Sequence, residues 1–351
     1  MIVCFCGSAT PGEADRTFSG PLAAMSRVPH TVSGLSAGAF MAVQHHIVHS
    51  SDVDAVGAIA GGPFWCAKAN AITAQTACMK TPALIDVAEL VTVTHTTAAT
   101  GFIDSLRNLV GQRVWLFSGM SDTEVVPGVV GKLRDYYLKL GVRPDDMRTV
   151  FNVSAEHAMP TLTFGSACDF FGPPFMNRCG YDAAGDLLRF LLGSPGAEPL
   201  LPPTAPADDS SLVAFDQSRF APPVGLKAAG LAGLGYAYVP ARCARQRHAL
   251  MFGKVGAMVE GASNASCRLH VAYHGCHQGE EEINTTFVRH AGYNRWAEAN
   301  QIVVLYPQAR RTALNPNGCW DWWGYTGPDY ASNVGLQLRA VRRMVESLAE
   351  G

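Results

Sequence analysis

The chain has 351 residues, of which 48% are hydrophobic and 16% charged, with a formal net charge of −2. That balance supports a sizeable buried core and excludes both a disordered chain and a protein that holds nucleic acid in a basic field. No run of 18 apolar residues occurs, so no membrane-spanning helix is expected.

Residues 1–25, beginning MIVCFCGSATPGEADRTF, lack the long apolar stretch of an export signal and read as a poorly structured N-terminal segment. The remainder, 26–351, reads as one α/β domain in which short apolar runs alternate with helical patterns. The first expected strand, Val28–Ser33, leads into GLSAG, which sets Ser36 between Gly34 and Gly38 ahead of an apolar helical pattern. Small residues two positions either side of a serine let the chain turn tightly from strand to helix with the hydroxyl exposed. Ser36 is therefore the candidate nucleophile, with an ordinary glycine turn as the competing reading.

Strands are expected next at Ala55–Ala60 and Arg113–Ser118, the latter followed by Asp122 within SGMSDTEVVP. A helix is expected over Val129–Leu140, with Leu133, Tyr136, Tyr137 and Leu140 on one face. The strand Arg148–Val153 then precedes His157. Serine, acid and histidine thus follow three separate strands in the order Ser, Asp, His, where parallel sheets build their sites. His45, His46 and His49 sit on the helix after Ser36 and are expected to point away from the turn or pack locally. Glu124 and Glu156, rivals for the acid and base positions, are expected to be solvated loop residues.

A helix at Ala184–Leu192 ends at Gly193, and the proline-rich stretch 194–210 reads as a surface crossing within the domain or a boundary. Strands are then expected at Leu212–Phe215, Gly235–Val239, Leu269–Tyr273 and Ile302–Tyr306, with helices over Glu281–Ala299 and Asn333–Ala349.

Ten cysteines are present. Setting Cys4 and Cys6 aside, Cys66 and Cys78 flank one loop, Cys168 and Cys179 a second, and Cys243 and Cys267 a third. Cys276 and Cys319 remain, each beside a glycine. None has the paired CxxC spacing of a zinc site, so disulfides and an oxidising, secreted setting are the better reading. No metal and no organic cofactor are expected.

A serine nucleophile also needs an oxyanion hole. One donor is expected from the backbone N–H of Ala37. The second normally comes from a His-Gly loop ahead of the nucleophile, yet here that loop, His274-Gly275-Cys276 in LHVAYHGCHQ, lies far behind it. If residues 211–350 supply the first four strands and 28–157 the last four, the chain is a circularly permuted α/β-hydrolase. Its sheet is then mostly parallel, with about eight strands flanked by helices. Such a break is physically acceptable because chain ends at a surface often lie close together.

The stretches VSGLSAGAFMA, AGGPFWCA, SGMSDTEVVP, LHVAYHGCHQ, GYNRWAEANQIVVLYPQA and NPNGCWDWWGY extend over nearly the whole chain. In them the chain resembles the secreted, single-domain polyhydroxybutyrate depolymerases of the fungal, circularly permuted type. The resemblance implies a serine esterase acting on poly(3-hydroxybutyrate) or its oligomers through an acyl-enzyme. Ser36 would be the nucleophile, Asp122 the acid, His157 the base, and Ala37 and Cys276 the oxyanion donors. It places substrate-lining positions on Asn315 and Trp320, and pairs Cys276 with Cys319 so that the oxyanion loop is fastened to the Trp-rich segment. A neutral polyester or short ester is the expected partner, with no nucleic acid and no membrane, and the chain is expected to be a monomer. Of Trp320, Trp322 and Trp323, at least one is expected to line a crevice for an aliphatic ester.

The chain departs from the family pattern in having alanine at position 37, which a backbone donor tolerates. It also has a very short segment, Arg310 to Leu314, whose basic pair could favour a carboxylate-ended oligomer. A feruloyl or acetyl carbohydrate esterase of related fold is the first alternative, and an inactive hydrolase used as a binding protein the second.

Overall fold

The computed structural model describes residues 28–193, 198–244 and 267–349. Cys4, Cys6, the rest of the N-terminal segment and residues 194–197 of the proline-rich crossing lie outside the described residues. The strands are β1 His30–Leu35, β2 Val53–Ile59, β3 Arg113–Phe117, β4 Met147–Val150, β5 Met159–Thr161, β6 Ser166–Ala167, β7 Met176–Arg178, β8 Leu212–Asp216, β9 Leu234–Tyr238, β10 Arg268–Tyr273 and β11 Ile302–Tyr306.

Eight of them form one sheet in the order β4-β3-β2-β1-β10-β11-β9-β8. All pairings from β4 to β11 are parallel, and β9 and β8 extend the edge antiparallel. Read from β8, the chain crosses the sheet from one edge to the other with one exchange, between β10 and β11. The seam where the C-terminal half meets the N-terminal half is the β1–β10 pair, with Thr31 opposite His270 and Gly34 opposite Tyr273. This is the permuted order expected from the displaced His-Gly loop. The other two ends of that permutation also meet. Arg342 on the last helix pairs with the Asp52 carboxylate at 3.2 Å, and the His30 N–H donates to the Asp52 carbonyl at 3.1 Å.

Strands this apolar form the middle of the sheet because both faces are covered. Helix Ala37–Val48, every residue of which is buried, lies on one face against β1, β2 and β10. Helices Ala183–Leu192 and Tyr293–Asn300 cover the other: a Cβ on Gly57 would sit 2.2 Å from Leu187 Cδ1, and the Tyr293 hydroxyl meets Ser33 at 2.8 Å.

Two helix expectations need correction. The single helix over Glu281–Ala299 is three short ones, Glu280–Ile283, Thr286–His290 and Tyr293–Asn300, interrupted at Asn284 (φ 51°) and Gly292 (φ 97°). A left-handed residue cannot continue a right-handed helix. The last helix starts at Leu336, not Asn333. Helix Val87–Ala99 and the small sheet β5-β7-β6 were not anticipated; the helix is rich in threonine, and β6 has two residues, too few for a period-2 pattern.

Burial of histidine is heavy. Tyr273 donates to His45 Nδ1 (2.7 Å), His45 Nε2 donates to His30 Nε2 (3.4 Å), and His30 Nδ1 donates to the Val28 carbonyl (2.8 Å). His46 sits between Tyr137 and Gln112, and His270 between Thr31 and Ser33. Desolvation holds these rings neutral: His30, His46 and His274 fall to about 4, His49 and His270 to about 3, and His45 well below its ordinary value. The unfolded chain takes up these protons from about pH 6.5, the folded chain only near 4 or below. The stabilisation is therefore complete above pH 6.5 and lost as pH falls, at about 1.4 kcal/mol per pH unit for each ring. Melting temperature followed from pH 7.5 to 4 should be flat above 6.5 and fall steeply below it.

Candidate active site

Ser36 stands between the last residue of β1 and the first of helix Ala37–Val48, with φ 55° and ψ −123°. No L-residue adopts that conformation without strain unless the surroundings fix it, and such strain clusters at functional sites. The surroundings are the two glycines. A Cβ on Gly34 would lie 2.2 Å from the Gly38 carbonyl oxygen, and one on Gly38 would lie 2.4 and 2.5 Å from the carbonyl oxygens of His274 and Tyr273. The G-x-S-x-G spacing is thus a packing requirement, and Gly38 serves the seam between β1 and β10 as much as the turn.

Asp122 follows β3 and His157 follows β4. The His157 Nδ1 lies 2.9 and 3.1 Å from the two Asp122 carboxylate oxygens, and both side chains are buried. Asp122 Oδ1 also accepts from the backbone N–H groups of Glu124 (2.9 Å) and Val125 (2.8 Å), which fixes the carboxylate beside the imidazole. With Nδ1 donating to Asp122, Nε2 of the neutral ring is the free base. Ser36 and His157 line the same cavity, of about 630 Å³, together with Gly275 and Cys276. Ala37 is buried as the first residue of its helix, where backbone N–H groups have no intrahelical acceptor.

Glu156 corrects an expectation. It is buried, not solvated, because its carboxylate accepts from the Thr123 N–H (2.8 Å) and hydroxyl (2.5 Å). It ties the residue before His157 to the residue after Asp122. Glu124 is half-buried and paired with Lys80 at 2.8 Å on the cavity rim. His45, His46 and His49 pack locally away from the cavity lining.

The His274-Gly275-Cys276 loop is held from three sides. The Ala309 N–H donates to His274 Nε2 (3.1 Å), which fixes the tautomer so that Nδ1–H donates to the Gly275 carbonyl (2.7 Å). Gln278 accepts from the Gly275 N–H (2.8 Å) and donates to the carbonyls of Pro174 and Phe175. Cys276 is bonded to Cys319, and the other expected disulfides, Cys66–Cys78, Cys168–Cys179 and Cys243–Cys267, are formed as well.

Asn315 lines the cavity, but its amide is committed: Nδ2 donates to the Cys319 carbonyl (2.7 Å), and Oδ1 accepts from the Cys319 N–H (3.0 Å). Trp320 is fully buried, its ring centroid 5.0 Å from Tyr273 and 5.5 Å from His274, and among the described residues its Nε1 has no hydrogen-bond partner. The indoles in the wall are Trp322, stacked on Phe40 at 3.9 Å, and Trp323.

Sequence reasoning passed over Asp321. Its buried carboxylate accepts from the backbone N–H groups of Trp323, Gly324, Tyr325 and Thr326, and so folds the Trp-rich loop around itself. Burial pushes its pKa up against those hydrogen bonds. The basic pair is also neutralised: Arg310 faces Glu281 at 3.4 Å and Arg311 meets Glu282 at 2.7 Å, which removes the support for a carboxylate-ended ligand there.

Comparison with known proteins follows the same lines. No protein-family model matches the chain. A poly(3-hydroxybutyrate) depolymerase of Delftia acidovorans is 38% identical over 332 residues, covering 94% of this chain and 62% of that protein. The chain thus spans under two thirds of that relative's length. A polyhydroxybutyrate depolymerase of Talaromyces funiculosus is 32% identical over 341 residues, covering 92% of this chain and 89% of that protein. Among solved structures, a PHB depolymerase bearing a serine-to-alanine change and complexed with an R3HB trimer superposes with a TM-score of 0.76. It is 28% identical, over 93% of this chain and 99% of that one. The PHB depolymerase of Penicillium funiculosum gives 0.75 at the same identity and coverage.

Replacing Glu156 by Ala strips Thr123 of its acceptor, and should destabilise the fold by about 1–3 kcal/mol. Because Asp122 and His157 lose their tie, kcat on a short ester should fall more than KM rises. Thermal melts and steady-state kinetics of the variant check both.

Proposed function

The chain belongs to the polyhydroxybutyrate depolymerase family, and from that premise we propose that it hydrolyses (R)-3-hydroxybutyrate polyester or its oligomers as a serine esterase. The observation that carries the reading is the His157–Asp122 pair facing one cavity with Ser36 on its strained turn. In the proposed reaction Ser36 Oγ attacks the ester carbonyl while its proton passes to His157 Nε2, and the resulting imidazolium is stabilised by Asp122. The tetrahedral oxyanion accepts from the N–H groups of Ala37 and Cys276, each worth about 10²–10³ in rate. Collapse breaks the acyl C–O bond, and His157 returns the proton to the leaving hydroxyl. Water, deprotonated by the same ring, then releases the acyl group and restores Ser36.

The cavity suits a neutral aliphatic ester. Leu35, Phe40, Phe171, Phe175, Trp322 and Trp323 supply apolar wall, and the arginines nearby are already paired. Phe171 and Leu314 line the mouth and are 47% and 73% exposed, which gives an extended chain an apolar landing. Asn315 and Trp320 act in this reading as supports of that wall. Residues 26–351 work as one catalytic domain, and as a monomer. Four disulfides support an extracellular setting, since such bonds persist where the surroundings are oxidising.

The purified protein should clear a suspension of poly(3-hydroxybutyrate) and cleave the trimer, and Ser36→Ala should lower the rate by about 10⁶-fold. Hydrolysis of a feruloyl ester without attack on polymer or trimer would overturn the substrate assignment. Full activity in Ser36→Ala would overturn the mechanism.

A further inference from the structure

Two loops reach the cavity from opposite halves of the chain, and one side chain joins them. Gln278 is 1% exposed and lines the cavity. Its Oε1 accepts from the Gly275 N–H at 2.8 Å, and its Nε2 donates to the carbonyls of Pro174 (3.1 Å) and Phe175 (2.9 Å). The orientation of this amide is forced, because a backbone N–H only donates and a carbonyl only accepts.

At one end is the turn that carries Ser36. A Cβ on Gly275 would lie 3.0 Å from Gln278 Oε1 and 3.5 Å from Ser36 Cβ, so this glycine packs between the two. The Gly275 carbonyl accepts from His274 Nδ1 at 2.7 Å. A trans peptide carries its C=O and the following N–H in opposite directions. With the carbonyl turned to the buried His274 ring, the Cys276 N–H is turned away from it. Gln278 and His274 thus grip Gly275 by its N–H and its carbonyl, which fixes the peptide plane that holds the Cys276 N–H.

At the other end is the segment that carries His157. The Phe175 carbonyl accepts from Gln278 and also from the N–H of Met159, two residues beyond His157, at 2.9 Å. Phe175 itself holds a left-handed φ of 54°. Its ring lies 5.6 Å from Phe171, whose ring lies 6.3 Å from that of His157.

We propose that Gln278 is a positioning residue for the reaction, a strut that sets the Cys276 N–H against the His157 side of the cavity. The inference rests on the serine-esterase mechanism proposed above. Oxyanion stabilisation depends on where a donor stands as charge develops, and a misplacement of about 1 Å costs about 10² in rate. Binding of the uncleaved ester along an apolar wall needs no such precision. Loss of the strut is therefore felt in the transition state and spares the Michaelis complex.

The test reads the two states separately, with a trifluoromethyl ketone built on a hydroxybutyrate unit and the matching alcohol. Ser36 Oγ bonds to the ketone carbon, the π pair moves to oxygen, and the proton passes to His157 Nε2. The alcohol has no carbonyl to attack. In Gln278→Met, which keeps the length and loses every hydrogen bond, kcat on a short ester should fall about 10–100-fold, with KM changed by less than about threefold. The inhibition constant of the ketone should rise by the same factor as kcat falls, and that of the alcohol should not move. Gln278→Glu keeps the size but sets acceptors against the Pro174 and Phe175 carbonyls. It should show the same split at about pH 8 and recover toward the unmodified enzyme at about pH 5.5, where protonation returns a donor to the carboxyl. A residue serving stability alone would leave the ketone-to-alcohol ratio at its unmodified value in both variants. The ratio does not depend on the fraction of protein folded, and Gln278→Glu supplies the reading if Gln278→Met does not fold.

An unchanged ratio, whether both affinities hold or both fall alike, would overturn the proposal. Failure of the unmodified enzyme to bind the ketone more tightly than the alcohol would instead overturn the serine mechanism on which the proposal rests.

Discussion

The site depends on the close approach of two backbones where β1 meets β10. Gly38, in the first turn of the helix behind Ser36, has no room for a Cβ because the carbonyl oxygens of Tyr273 and His274 lie where it would be. That approach brings the Ser36 turn against the His274-Gly275-Cys276 loop, some 240 residues later in the chain. Any side chain at position 38 would part the strands at their ends, and with them the serine and the loop that faces it. The permutation has no influence on this contact: strands pair by register and side-chain pattern, and the chain order in which they arrive is immaterial.

Around that seam, charge has been paired wherever it comes near the cavity. Lys80 is matched with Glu124, Arg310 with Glu281, and Arg311 with Glu282. Glu156 and Asp321 are buried but surrounded by donors, mostly backbone N–H groups, and each shapes a loop instead of facing a ligand. An unpaired charge buried at such a place would cost several kcal/mol. Pairing these charges with one another or with the backbone leaves a wall of Phe, Leu and Trp broken by a few polar groups, a surface fit for an uncharged ester.

Much of this was legible in the sequence, for reasons that differ from residue to residue. The middle strands of the large sheet were found because fully covered strands are continuous apolar runs. The tight turn at Ser36 was legible because it demands glycines at fixed spacing, and the permuted order because the His-Gly loop was missing from its usual place. The disulfides followed from local cysteine spacing and family resemblance. What stayed hidden depends on contacts across loops. Glu156 looks like any loop glutamate until Thr123 is placed against it. Trp320 and Trp322 are two residues apart in one tryptophan-rich run, and only the fold around Asp321 turns the first inward and the second to the cavity. The adjacency of Glu156 to His157 was the one signal that could have exposed its role.

The central claim is that Ser36, activated by His157 across the seam-built cavity, is the nucleophile. It is tested most directly by exposing the protein to a serine-directed fluorophosphonate and locating the adduct by peptide mass spectrometry. One equivalent on Ser36, with matching loss of ester hydrolysis and little labelling in His157→Gln, is the predicted result. Labelling of another residue, or of Ser36 at an unchanged rate without His157, would contradict the account.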